Sequence, residues 1–345
     1  MKPILVSGIQ PTGRLHLGNY LGALKNFVDL QNSGKYGCYF FIADLHALTE
    51  NPTAKDLNVH IINLMADFLS IGLDPKKSII FQQSQIEPLQ ELKWILSTLT
   101  PVSELLRMTA FKEKVVQALK PSEREKITKE KFEEVMEASN FGLAEYPVLM
   151  AADILIYDAK FVPVGNDQLQ HLEFARTLAR KFNSRFGKTF VEPQPLLTQS
   201  PRVMSLKNPE KKMSKSDPAS CLFLDDSPEE IKAKIKTAVT DSGSEIKYDP
   251  KNKPAISNLL KIYTSLEQRT LEQLEHEFHG KTYSEFKAKL AETIVGHLAD
   301  YRKKKKSLLE NPALLRQTLR QGSGRAAKIA ARKISEVKKK IGIAI

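Results

Sequence analysis

The chain has 345 residues, 41% of them apolar and 27% charged, a folded protein's composition that excludes disorder throughout and a collagen-like repeat. At about 150 residues per domain, the length predicts two domains. The excess of 12 positive charges is one-sided, because residues 1–200 carry 22 Lys and Arg against 22 Asp and Glu while residues 201–345 carry 30 against 18. A neutral front and a basic back fit a small-molecule module followed by one that meets a polyanion, since clustered cations gain by releasing counterions from phosphate. The longest apolar runs, 38–43 and 147–157, fall short of the roughly 20 residues that cross a bilayer, so no membrane span is expected. The N-terminus turns into Gly, Gln and Pro before a signal-peptide core could form, which points to the cytoplasm. Cys38 and Cys221 lie far apart and outside any C-x-x-C pair, as expected of core thiols.

Residues 3–7 read as a short buried strand leading into the loop Gly8-Ile9-Gln10-Pro11-Thr12-Gly13-Arg14. Leu17, Tyr20, Leu21, Leu24, Phe27 and Val28 then recur at helical spacing to about Gln31. A strand over 38–43, a helix over 61–71 and a strand over 78–81 continue the alternation that marks a parallel sheet with right-handed crossovers. Ligands of such sheets bind beyond the carboxyl ends of the strands, which is where the first loop falls. Residues 115–139 alternate Glu and Lys and predict an exposed helical insertion. Residues 161–164 read as a strand, Gly165-Asn166-Asp167-Gln168 opens a long helix towards Phe186, and from Pro228 onwards the pattern is nearly all helical. The expected architecture is α/β: a Rossmann-like doubly wound parallel sheet over 1–217, carrying the insertion, followed by a basic C-terminal helical domain over 218–345.

Missing motifs narrow the chemistry, for there is no P-loop, no G-x-S-x-G elbow and no H-E-x-x-H. His276 and His279 are three apart with nothing nearby to complete a metal site, and none is expected. Two clusters remain. His16-Leu17-Gly18-Asn19 stands at a predicted helix start, where residues three apart share a face and free N–H groups favour a phosphate. Gly18 leaves room there for a flat base. Lys211-Lys212-Met213-Ser214-Lys215-Ser216-Asp217-Pro218 packs three ammonium groups and two hydroxyls into one short segment, suited to the charge that develops as pyrophosphate leaves ATP. Asp153 lies inside the apolar run 148–156, where an unpaired carboxylate would be costly; a neighbouring Lys, a capped backbone group or an indole N–H could supply its donor.

The first cluster resembles the H-I-G-H element, and residues 212–216 the K-M-S-K-S loop, of class I aminoacyl-tRNA synthetases. Segments 8–13, 18–23, 150–155, 162–168 and 238–242 resemble the tryptophanyl branch, so the similarity covers nearly the whole chain. The resemblance implies activation of L-tryptophan by ATP, with Mg2+ carried by the nucleotide, to tryptophanyl-adenylate, then transfer to tRNA(Trp). It also implies a cytoplasmic homodimer without membrane attachment, whose basic helical half holds the anticodon stem. By matching position it assigns His16, Asn19, Lys114, Lys212, Ser214 and Lys215 to phosphate chemistry. Gln10, Pro11, Thr12, Gly18, Gly165, Asp167, Gln168, Val203, Met213 and Ser216 complete the ATP site. Asp153 would accept from the indole, Tyr146 and Gln168 would hold the ammonium, Gln10 the carboxylate, and Val6, Gly8, His46, Met150, Val162 and Val164 would line the ring pocket. Val6 stands where some relatives carry Phe, Ala110 where some carry Gln, and the insertion is longer than in many.

Overall fold

The computed structural model describes residues 2–108, 128, 130, 133–134, 140–197, 201–267 and 269–344, with Asp167 described in its backbone alone. Lys114, Ala110 and most of the charged stretch 115–139 lie outside the described residues. Five strands, β1 (Ile4–Ile9), β2 (Gly37–Ile42), β3 (Ser78–Gln82), β4 (Phe161–Val164) and β5 (Gln194–Leu197), form one parallel sheet in the order β3-β2-β1-β4-β5. Strand order reverses direction at β1, so the crevice past the carboxyl ends of β1 and β4 is the topological switch point. The first four strands follow the apolar pattern, whereas β5 is largely exposed and contains Pro195, the composition of an edge strand and a weak sequence signal.

Side chains along each strand alternate between two cores. Leu5, Phe40, Ile42 and Ile80 pack on one face, beneath α1 (Leu17–Asn19), α2 (Lys25–Asn32) and α4 (Ala54–Ser70). Val6, Tyr39, Phe41 and Phe81 face the other, beneath α5 (Glu87–Ser97), α7 (Phe141–Leu155) and α8 (Leu169–Phe186), with the short α3 (Asp44–Ala47) following β2 and α6 (Val102–Leu106) following α5. Each fully buried chain such as Leu5 or Phe40 contributes about 1.5–3 kcal/mol by leaving water. The predicted helix after the first loop is not uniform. A π-helical turn, Tyr20–Leu24, separates α1 from α2, so the ladder is wound wider where Gly22 and Ala23 face a cavity.

Beyond residue 217 come α9 (Pro228–Lys236), α10 (Pro254–Glu267), α11 (Leu271–Glu277) and α12 (Tyr283–His297). Ser227 with Glu230, Thr270 with Gln273 and Thr282 with Glu285 close reciprocal capping boxes that start three of these helices. α10, α11 and α12 meet around the mutually packed rings of Tyr263, Phe278 and Phe286. α13 (Ala299–Leu309) returns along α4, where buried Lys305 bridges Asp67 at 2.7 Å and Asp225 at 2.9 Å.

The 30-residue α14 (Pro312–Ile341) packs on the sheet itself. Its Leu315 and Leu319 join the first core, and its Ala326, Ala330 and Val337 join the second. It crosses between them at Gly322, where a Cβ would stand 1.7 Å from the Ile80 carbonyl oxygen. One residue on, Ser323 Oγ accepts the Gln82 N–H at 3.2 Å, closing a donor on the edge strand β3.

Candidate active site

At the switch point a cavity of about 300 Å³ opens between the ends of β1, β2 and β4, the π-helical turn and α7. All ten residues expected at the amino-acid subsite line it: Val6, Gly8, Gln10, His46, Tyr146, Met150, Asp153, Val162, Val164 and Gln168. β1 and β4 supply the walls by their own pleat, and α7 carries Tyr146, Met150 and Asp153 on successive turns of one face. A Cβ on Gly8 would fall 2.4 Å from the tip of Phe41, so glycine there lets that ring reach the cavity wall.

Asp153 is buried, and among the described residues no lysine supplies its donors. Gln83 Nε2 donates to both carboxylate oxygens, at 3.0 and 2.8 Å, and His46 Nε2 donates to Oδ2 at 3.1 Å. Burial pushes the Asp153 carboxyl above the usual range, and the His46 and Gln83 hydrogen bonds pull it back. Oδ1 receives one protein donor against two at Oδ2, which leaves acceptor capacity on an oxygen in the cavity wall. Tyr146 Oη shares a 2.7 Å hydrogen bond with Nε2 of His171, a residue of α8, and its ring stands edge-on to His46.

The two motif clusters meet beside the loop after β1, whose Gln10 lines this cavity. Residues 203–205 and 211–213 pair antiparallel, with Met213 N–H donating to the Val203 carbonyl and Ser205 N–H to that of Lys211. Met213 and Val203 are buried, and Val203 Cβ lies 3.6 Å from where a Cβ on Gly18 would be. Residues 222–224 then pair with 15–17, tying the second cluster directly to the first. The loop tip folds back so that Lys215 Nζ donates to Thr12 Oγ1 at 3.0 Å and to the Thr12 carbonyl at 3.3 Å. Lys212, Ser214 and Ser216 are exposed at this tip, with the two serine hydroxyls 2.9 Å apart.

His16 and Asn19 do more than share a face. The Asn19 N–H donates to His16 Nδ1 at 3.3 Å, and the His16 N–H donates to Asn19 Oδ1 at 3.1 Å. Because Nδ1 accepts, the neutral imidazole carries its proton on Nε2. Burial first, and then the Lys215 and Lys212 ammonium groups, push this imidazole down to about 4. The expected cradle of free helix N–H groups is partly used up, since Leu17 N–H is bound to the Leu222 carbonyl and Asn19 N–H to His16. His16 Nε2–H, Asn19 Nδ2, the Gly18 N–H and the ammonium groups of the loop are donors that could meet a ligand.

A family model for the class I tRNA synthetases of W and Y matches residues 1–299. A curated tryptophan-tRNA ligase of Caldanaerobacter subterraneus subsp. tengcongensis is 44% identical over 340 residues, 98% of this chain and 97% of its own. The crystal structure of tryptophanyl-tRNA synthetase from Mycoplasma pneumoniae superposes with a TM-score of 0.85 at 31% identity, covering 100% of this chain and 99% of that one. That of Campylobacter jejuni tryptophanyl-tRNA synthetase, complexed with ADP and tryptophan, gives 0.81 at 35% identity, with 98% and 99% covered. The chain belongs to the tryptophanyl-tRNA synthetases. In this synthetase the sequence reading passed over Gln83 and His171, the direct partners of Asp153 and Tyr146. Gln83 follows the carboxyl end of β3, on the side of the sheet where ligands of parallel sheets bind, whereas nothing in the pattern distinguishes His171 from any other buried helix residue.

Proposed function

We propose that this chain joins L-tryptophan to tRNA(Trp) at the expense of MgATP, with the cavity holding the amino acid and the paired loops holding the triphosphate. Asp153 Oδ1 accepts the indole N–H, Val6, Gly8, His46, Met150, Val162 and Val164 enclose the ring, Tyr146 and Gln168 take the ammonium, and Gln10 orients the carboxylate. A carboxylate oxygen of tryptophan attacks the α-phosphorus of ATP, and pyrophosphate leaves. The ribose hydroxyl at the tRNA 3′ end then attacks the activated carbonyl, and AMP leaves. His16, Asn19, Lys212, Ser214, Lys215 and Lys114 stabilise the phosphate charge, Gly18, Val203 and Met213 flank the adenine, and Gly165 and Asp167 meet the ribose. Pro11, Thr12 and Ser216 shape the same loop surface. No covalent enzyme intermediate is required, because positioning and electrostatics supply the rate.

One observation carries this reading. The cavity lined by Asp153 is also lined by Gln10, two residues from the Thr12 that Lys215 grips, so the cavity and the loop of Lys215 adjoin through one short stretch of chain. ATP–pyrophosphate exchange with each amino acid in turn is the test, with a signal expected for tryptophan alone. Exchange with tyrosine, or with none, overturns it.

The synthetase works as a homodimer in the cytoplasm, and its basic half takes the anticodon stem. Dimerisation is supported by Trp94 on α5, Val102 on α6 and Phe141 on α7, exposed to 70%, 69% and 73% on elements that pack against one another. Among the described residues no helix is long and apolar enough to cross a membrane.

A further inference from the structure

We infer that Gln83 is the positioning residue that holds Asp153 as an acceptor-only carboxylate, and thereby sets the preference for a side-chain ring bearing an N–H. The inference rests on the reading of Asp153 as the acceptor for the indole. Gln83 opens the 3-10 turn Gln83–Gln85 after β3 and is wholly buried. Its Oε1 accepts the N–H groups of Leu45 at 3.1 Å and His46 at 3.4 Å, two donors of the first turn of α3, the first of them shared with Asp44 Oδ1 at 3.1 Å. Those donors settle which end of the amide is oxygen, so the NH2 end must face away from α3. It faces Asp153, where it donates to both oxygens. One side chain thus locks the helix carrying His46 and the carboxylate on α7 in fixed relation.

The consequence is chemical as well as geometric. A protonated Asp153 would keep one carbonyl oxygen as an acceptor but lose its charge and offer an O–H to the ring, so the hydrogen bond from an indole N–H would weaken. Among the described residues, the titratable groups acting on Asp153 include His46 and Asp44 on α3 and Tyr157 just past the end of α7. Burial and Asp44 favour the protonated form, and the donors that oppose it are His46 and Gln83. His46 can lend its Nε2 proton only in one neutral tautomer or when charged, whereas the amide of Gln83 donates at every pH. Gln83 is therefore the donor that does not titrate, and without it the indole reader becomes dependent on pH.

The test compares tryptophan with β-(benzothiophen-3-yl)alanine, which has sulfur in place of the ring N–H, in ATP–pyrophosphate exchange by the full-length enzyme. In the wild type the ratio of kcat/KM for the two substrates should favour tryptophan and stay level from about pH 6 to about pH 9. Gln83→Met should cut that ratio by about tenfold at the acid end, through KM for tryptophan, and restore it as pH rises. Gln83→Glu keeps an acceptor for the Leu45 and His46 N–H groups and replaces the amide donor with a carboxyl that competes with Asp153 for a proton. It should lower the ratio likewise, and it carries the test if Gln83→Met does not fold. A merely structural role would depress both substrates together and leave the ratio level, which overturns the inference. A wild type that does not prefer tryptophan over the sulfur analogue instead overturns the reading of Asp153.

Discussion

Lys215 Nζ stands 3.0 Å from the hydroxyl of Thr12, a residue 203 positions upstream, so the lysine-rich loop touches the loop after β1. Burial lowers the pKa of this ammonium, against the opposing pull of the Glu50 carboxylate. A cation held partly desolvated beside a phosphate site gains most when negative charge arrives. Lys215→Ala should therefore lower kcat for ATP–pyrophosphate exchange by about 10²-fold, the size of losing one aimed charge in a transition state. Tryptophan binding by calorimetry should be unchanged, because the amino-acid cavity does not include Lys215.

His16 gives a pH prediction with a definite sign. Its native imidazole titrates near 4 against 6.5 for the free group. Between those values the unfolded chain binds a proton that the native chain refuses, so stability is undiminished by this group above about 6.5 and falls as pH drops towards 4. The imidazole signal assigned to His16 in the unliganded protein should show no midpoint near 6.5 in an NMR titration. A midpoint at or above that value would remove the argument that Nε2 alone carries the proton.

Much of this was legible in the sequence, for reasons that can be stated. β1 to β4 announce themselves because strands covered on both faces are continuous apolar runs, and the helices because their buried stripes recur every three or four residues. The pocket residues were legible only by resemblance, since nothing in the spacing of Val6, His46, Tyr146 and Asp153 says that they converge. Asp153 shows the limit of local reasoning. Its need for a donor follows from its apolar setting, but the donors come from Gln83 and His46, 70 and 107 residues away, and long-range pairing leaves no periodic trace. Charge counting fails in a similar way, because Lys305 and Lys333 in the basic half are buried and neutralised internally.

The exposed apolar side chains on α5, α6 and α7 predict the effect of a single charge. Val102→Asp places a carboxylate in the middle of the surface assigned to the second copy, where pairing would leave it desolvated. Sedimentation should show a dimer for the wild type and a monomer for the variant at micromolar concentration, with the helix content unchanged. A dimer undisturbed by Val102→Asp would move the interface elsewhere.

Gly322 is the crossing point of α14 over the edge of the sheet. Gly322→Ala forces a methyl group into the Ile80 carbonyl, a backbone atom that can yield only if helix or strand moves, and overpacking of this kind costs on the order of 1–3 kcal/mol. Helix propensity alone would favour alanine by about 1 kcal/mol. The sign of the measured change in Tm therefore decides between them, and a fall is expected.

Lys305 separates charge that can meet RNA from charge that cannot. It belongs to the run 303–306, yet it is buried, donating to Asp67 and Asp225, while Tyr301 donates its hydroxyl to the same Asp67 and Arg14 pairs with Asp225 and Asp226. Lys305→Met strands the Asp67 carboxylate, whose pKa burial already raises, and removing one partner of a buried pair costs about 3–5 kcal/mol. The loss should appear as a lower denaturation midpoint in urea. The salt dependence of tRNA binding should keep its slope, because an ammonium that never faces solvent releases no counterion from phosphate. A slope reduced by about one, with stability unchanged, would mean that Lys305 leaves its carboxylates to contact the nucleic acid.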